Sequence, residues 1–180
     1  EPETVPDFGF LPGYENPDVY LQAKQNGQRV IAVLFYRSHY LANDYEPVDF
    51  LVREILKSGA CPIPVFCNMM KQPKNVSHPL LNILQNNRET IPHVIIDCLS
   101  YAAVEVATTG NITRAADAKS LFVQLDRPVL HALYCSESES EWLKNPKGMK
   151  PNDMAMKVVL PEFDGKIIGQ PVAFVESAIM

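Results

Sequence analysis

A continuous apolar run, "VIAVLFY" at residues 30–36, is followed within a dozen residues by a stretch whose apolar positions recur at steps of three and four. No other feature restricts the fold of this chain as much. A run with no polar alternation is a strand buried on both faces, and the helix-period stretch behind it is the crossover such a strand needs. Pro47 opens that helix. Val48, Leu51, Val52, Ile55 and Leu56 line one side, and Gly59 after Lys57-Ser58 stops it.

The same alternation continues. "CPIPVF" (61–66) reads as a second strand, placed at a sheet edge because of its prolines. "KQPKNVSHP" is a loop, and 80–86 is a short helix after Pro79. "HVIIDCLS" (93–100) is the third strand, followed by a long loop through "ATTGNIT" and a helix over 115–123. "RPVLHALY" (127–134) is the fourth strand. "SESESEWL" starts another helix, with serines as caps and glutamates in the first turn. A short helix over 151–159, a turn at "LPEFDG" and a last strand near 172–176 complete the pattern.

Strand and helix repeated in this way predict an α/β fold: a mainly parallel sheet of four to five strands with helices on both faces, flavodoxin-like or Rossmann-like. A 2-1-3-4-5 strand order fits. In such sheets ligands bind beyond the carboxyl ends of the strands, where the order reverses. That rule sets the turn after the first strand, 36–43, opposite the loop after the third, 99–109. Residues 1–27, rich in proline and acids, read as a linker and lead-in segment, and 28–180 as a single α/β domain excised from a much longer chain.

Composition excludes several classes. A net charge of −5 with no basic stripe gives no footprint for nucleic acid. No apolar run approaches the ~20 residues of a membrane span. Cys61, Cys67, Cys98 and Cys135 sit in or beside apolar runs without zinc-like spacing, and read as buried free thiols. The chain has no "GxxxxGK[ST]" phosphate loop, no "GxGxxG" after the first strand and no "GxSxG" elbow. "TTGN" (108–111) offers at most a weak anion cradle, and an ordinary turn is the simpler reading.

The candidate site residues lie at strand exits. Arg37 and His39 follow the first strand, and two residues apart they share a side if the backbone stays extended. A guanidinium matches carboxylates in a fork, and a histidine can donate, accept or carry a proton. Together they suit a ligand with acidic or amide side arms. Ser100, where the third strand runs out, joins them. The competing reading pairs Arg37 with Asp44 or Glu46 and leaves His39 exposed. His131 reads as a hydrogen-bonded core or edge histidine, His93 as a surface strand-opener and His78 as a surface loop residue. Glu162 and Asp164 in "PEFDG" are carboxylates available near a metal or as proton acceptors, although Asp-Gly is also what a tight turn selects.

"VLFYRSHYLANDYEPVDFLVREILKSGACPIPVF" and "LDRPVLHALYCSESESEWLKNPKGMKPNDMAMKVVLPEFDGKIIGQPVAFVE" together resemble the large subunits of cobaltochelatases and the porphyrin-binding subunits of magnesium chelatases. The ordered set Tyr36-Arg37, Trp142, Asp153-x-Ala155-Met156 and Pro161-Glu162-x-Asp164-Gly165 carries the resemblance. Asn16 departs from the family's usual histidine, and Lys150 from its usual capping serine. The resemblance implies one internal domain of a cytoplasmic metal chelatase that binds a tetrapyrrole and inserts Co2+ on the route to cobalamin. It further implies that the domain binds no cofactor itself, that ATP and Mg2+ act through AAA+ partner subunits, and that Co2+ is the substrate. Under it, Arg37, His39 and Ser100 contact the macrocycle's side arms and Glu162 serves as a carboxylate near the cavity. The remaining domains of the large subunit are the other partners.

Overall fold

The computed structural model describes residues 5–68, 78–100, 121–146 and 148–175. Its centre is a six-stranded sheet in the order β1-β3-β2-β6-β7-β8. The strands are β1 (Phe8–Phe10), β2 (Val30–Tyr36), β3 (Cys61–Cys67), β6 (Val94–Asp97), β7 (Val129–Cys135) and β8 (Ile167–Phe174). All neighbours pair in parallel except β1, which runs antiparallel along β3. Leaving β1 aside, the order of the five strands read from sequence is 2-1-3-4-5. The sheet is one strand wider than expected because β1 comes from the segment read as a linker.

That segment also supplies α1 (Pro17–Gln25). Asn16, the position that departs from the family's histidine, caps α1 by accepting from the Asp18 N–H at 3.0 Å. Tyr20 is buried in the core, and its hydroxyl donates to the Tyr14 carbonyl.

The helix after β2 starts at once. α2 (Arg37–Ala42) ends at Asn43 in the left-handed region, φ 54°, and α3 (Glu46–Lys57) follows. α3 buries Val48, Val52 and Ile55, while Leu56 stays exposed. Gly59, φ +80°, closes it as expected. The core divides between the two sheet faces. Ala32, Leu34, Ile63, Val65, Ile95 and Val129 pack on one side, and Val33, Phe35, Phe66 and Ala132 meet α3 on the other.

β3 is fully buried and lies inside the sheet, which corrects the edge placement. Cys61 N–H bonds Arg29 across toward β2, and the Pro64 carbonyl accepts from Leu11 on the opposite side. By strand alternation Pro62 and Pro64 turn their missing N–H groups away from β2. β1 pairs only with Val65–Cys67, so the prolines lie where β3 has no partner strand on that side.

Other departures have local causes. α4 (Pro79–Leu84) stops before Asn86, because 85–90 form a small hairpin of β4 (Gln85–Asn86) and β5 (Glu89–Thr90). Its turn residues Asn87 and Arg88 both have positive φ, 49° and 69°, the backbone a two-residue primed turn requires. His78 is buried and not a surface group: its Nδ1 accepts from Leu80 N–H at 3.2 Å and so caps α4. His93 Nδ1 accepts from Val30 N–H at 3.0 Å. α5 (Leu121–Leu125) is the described end of the helix expected over 115–123; residues 115–120, the 71–77 loop and "TTGN" lie outside the described residues.

α6 (Glu139–Lys144) carries a full capping box between Ser138 and Glu141. Beyond it, α7 (Pro151–Met154), a π-turn (Ala155–Val159) and α8 (Leu160–Phe163) form one continuous helix. A proline inside a helix lacks its N–H and crowds the carbonyl four residues back. The widened turn just before Pro161 accommodates both effects, so the helix runs through the point read as a turn. β8 begins at Ile167, earlier than expected, since an edge strand tolerates Gly169 and Pro171 with the irregular register opposite His131–Tyr134. All four cysteines are free and buried. No helix among the described residues is long and apolar enough to cross a membrane.

A charged cluster is buried beside β6. Lys166 Nζ lies 2.7 Å from Asp97 Oδ2 and 3.3 Å from Asp164 Oδ2, and all three side chains are fully buried. The ammonium also sits 5.1 Å from the Phe122 ring centroid. His131 is in the core, as expected, with Nδ1 3.1 Å from the Asp97 carbonyl. Replacing Lys166 by Met keeps the stem and strands the Asp97 charge. We expect a loss of about 3–5 kcal/mol in denaturant unfolding, most of which Asp97→Asn in the same chain restores.

Burial, with Lys166 nearby, depresses the His131 imidazole from its ordinary 6.5 to about 4. Below 6.5 the unfolded chain therefore binds a proton that the folded chain refuses. This contribution to stability is complete above pH 6.5 and is lost as pH falls through 4, in total about 3 kcal/mol. Urea midpoints measured at about pH 4.5 and about pH 7 should differ less in His131→Gln than in the parent chain.

Candidate functional site

The strand order reverses at β2, which has β3 on one side and β6 on the other. In parallel sheets this is the place, beyond the carboxyl ends of the strands, where a ligand crevice is expected. Tyr36, the last residue of β2, spans it: its hydroxyl accepts the Ser100 N–H at 2.8 Å. The turn after the first strand and the exit of the third therefore share one rim, as the topology rule requires. Ser100 is at the crevice, with its backbone N–H already committed to this bond.

His39 lies one helical turn beyond Tyr36. Its ring stacks on Tyr36, 5.9 Å between centroids at 28°, and meets Tyr134 edge-on at 6.3 Å. Nδ1 lies 3.0 Å from the Asp44 carbonyl and 3.9 Å from its carboxylate. The left-handed Asn43 makes this possible, since it turns the chain back so that Asp44 reaches the helix it has just left. A carbonyl can only accept, so Nδ1 carries the hydrogen and Nε2 keeps its lone pair.

Arg37 and His39 do not share a side. The backbone turns helical at Arg37, so the extended geometry on which that expectation rested is absent. The guanidinium instead donates from Nε to the Pro6 carbonyl at 2.8 Å and from a terminal nitrogen to the Val5 carbonyl at 2.6 Å. Neither Asp44 nor Glu46 takes up those two donors. Arg37 fastens the N-terminal segment to the start of α2.

Two groups near His39 are kept neutral by burial. Burial pushes the Cys98 thiol up to about 12 and raises the Tyr134 hydroxyl well above its usual range. Tyr40 extends the aromatic surface on the outer side, stacked on Phe66 at 4.4 Å. Tyr36, His39 and Tyr134 thus form an aromatic cluster at the carboxyl rim.

Glu162 is elsewhere. It lies near the end of α8, immediately before β8, and a parallel strand begins at the amino rim. Its side chain is exposed, and the sheet separates it from Tyr36 and Ser100. Asp164 beside it is taken by Lys166. An open concavity of about 360 Å³ at that rim is lined by Phe122, Asp126, Arg127, Asp164 and Gly165. Its Arg127 is bound to the Pro92 and Asp126 carbonyls, so it offers no poised chemistry. Among the described residues no group of three or more His, Cys, Asp or Glu side chains is placed to hold a metal ion.

Sequence reasoning passed over Tyr36 as a bridging group and Tyr134 as a wall. The signal was available: both are tyrosines at the carboxyl ends of apolar runs, where a buried ring keeps a polar tip at the rim. It also passed over the network at the next strand exit, where the Ser136 hydroxyl donates to Asp153, Lys157 lies 2.8 Å from the same carboxylate, and Lys150 pairs with Glu137 at 3.2 Å.

Comparison with known proteins agrees with this architecture. The chain is 31% identical over 153 residues to the aerobic cobaltochelatase subunit CobN of Pseudomonas aeruginosa, covering 83% of this chain and 11% of that protein. It is 27% identical over 150 residues to the chloroplastic magnesium-chelatase subunit ChlH of Oryza sativa subsp. japonica, covering 81% of this chain and 10% of the relative. Its fold matches the catalytic subunit of cobaltochelatase from Mycobacterium tuberculosis with a TM-score of 0.71 and 28% identity, over 97% of this chain and 14% of that one. The chain therefore spans only a small part of the length of these relatives. A family sequence model described as CobN/Magnesium Chelatase matches residues 1–179, and the chain belongs to that family.

Proposed function

We propose that this chain is one tetrapyrrole-contacting domain of a metal-chelatase large subunit, and that its carboxyl-rim crevice takes an edge of the macrocycle. The observation that carries the reading is the aromatic cluster of Tyr36, His39 and Tyr134 at the strand-order reversal, where Tyr36 accepts the Ser100 N–H. Relatives named as cobaltochelatase and magnesium-chelatase subunits supply the ligand class. Cobalt and a corrin are the reading we favour, since the cobaltochelatase relative is the more similar of the two. The reaction is then insertion of Co2+ in cobalamin biosynthesis, in the cytoplasm. On this reading ATP and Mg2+ act through separate AAA+ subunits, as the family resemblance implies, and the absence of a phosphate loop from this sequence is consistent with it. The isolated chain has neither chelatase nor ATPase activity on this reading.

Within the crevice His39 and Ser100 are the residues we assign to the ligand. Arg37 contributes by anchoring α2, not by gripping a side arm, because its fork already holds two backbone carbonyls. We assign Glu162 no contact with a ligand in this crevice.

The test uses the full-length subunit. Ser100→Trp places a ring in the crevice without removing the backbone N–H that Tyr36 accepts. Absorbance titration with a metal-free corrin should show affinity at least tenfold weaker, with far-UV circular dichroism unchanged. Unchanged affinity in the folded variant overturns the reading.

A further inference from the structure

We propose that His39 Nε2 is the proton acceptor for a ring N–H during metal insertion, an inference that rests on the crevice reading above. Three observations converge on this nitrogen. The Nδ1 hydrogen is held by the Asp44 carbonyl at 3.0 Å, which fixes the tautomer with the Nε2 lone pair free to accept. The ring is clamped between the face of Tyr36 and the edge-on ring of Tyr134, so its direction is set before any ligand arrives. Around it burial keeps the Tyr134 hydroxyl and the Cys98 thiol neutral, and the Asp44 carboxylate lies 3.9 Å from Nδ1.

The step balances without a further reagent. A ring nitrogen loses its proton to Nε2, the electron pair of that N–H bond remains on nitrogen, and the same pair forms the bond to the incoming divalent cation. His39 then returns the proton to water through its exposed edge, since about a third of its side chain, 34%, is open to solvent. The Asp44 carbonyl holds the tautomer throughout.

The variant that isolates this role is His39→Asn in the full-length subunit assembled with its ATPase partners. An asparagine amide keeps a donor close to the Nδ1 position, so the bond to Asp44 survives while the base is lost. The rate of cobalt insertion at saturating metal-free corrin should fall by about a hundredfold or more. In His39→Ala, added imidazole should restore insertion in a saturable manner, which a purely structural role would not allow. An insertion rate near the parent's in His39→Asn overturns the proposal, and so does a rate loss that follows entirely from weaker corrin binding. If Ser100→Trp weakens affinity while His39→Asn inserts normally, the crevice reading stands and only the proton-acceptor role falls. If His39→Asn does not fold, imidazole rescue of His39→Ala decides alone, and absence of rescue in the folded Ala variant overturns the role.

Discussion

The pairing of β2 with β3 on one side and β6 on the other is the constraint from which the rest of the molecule follows. A strand with parallel neighbours on both sides must be apolar on both faces, and "VIAVLFY" is. The strand order reverses at β2, and its carboxyl end is where a parallel sheet favours a ligand. Tyr36, His39 and Ser100 come together at this rim.

A second constraint is electrostatic: Lys166, just before β8, pairs with Asp97 and Asp164 in a buried cluster. Such a cluster contributes little net stability, but it is costly to break once built. It fixes where β8 enters and therefore the register of the outer sheet. At the carboxyl rim burial keeps the Tyr134 hydroxyl and the Cys98 thiol protonated.

How much of this could be read in advance depended on the range of the interactions involved. The β2–α3–β3 unit was legible because continuous apolar runs and three-four spacing are local. The five-strand order could be anticipated from topology rules for parallel sheets. Where the reading failed, a distant partner or an unusual backbone decided. β1 is three residues long and exists only because β3 offers an edge. The 85–90 hairpin turns on Asn87-Arg88 without the glycine that normally marks it. The α7–α8 helix passes Pro161 by widening to a π-turn, which no propensity scale anticipates. Arg37 was the instructive miss in the site: its residue type was read correctly as a fork, but the carbonyls that fill it lie more than thirty residues earlier in the chain.

His39 shows the converse. Its identity could be read from the sequence, but its chemical state could not, since that depends on which ring nitrogen holds the hydrogen. The left-handed turn at Asn43 settles the matter by directing the Asp44 carbonyl at Nδ1. Asparagine is among the few residues that adopt that backbone at low cost. The short "HYLAND" stretch therefore encodes more than a helix and its stop: the residue that ends the helix also sets the tautomer of the histidine four positions before it. A β-branched residue at 43 would strain that turn and release the carbonyl, leaving the histidine in place but its lone pair undirected.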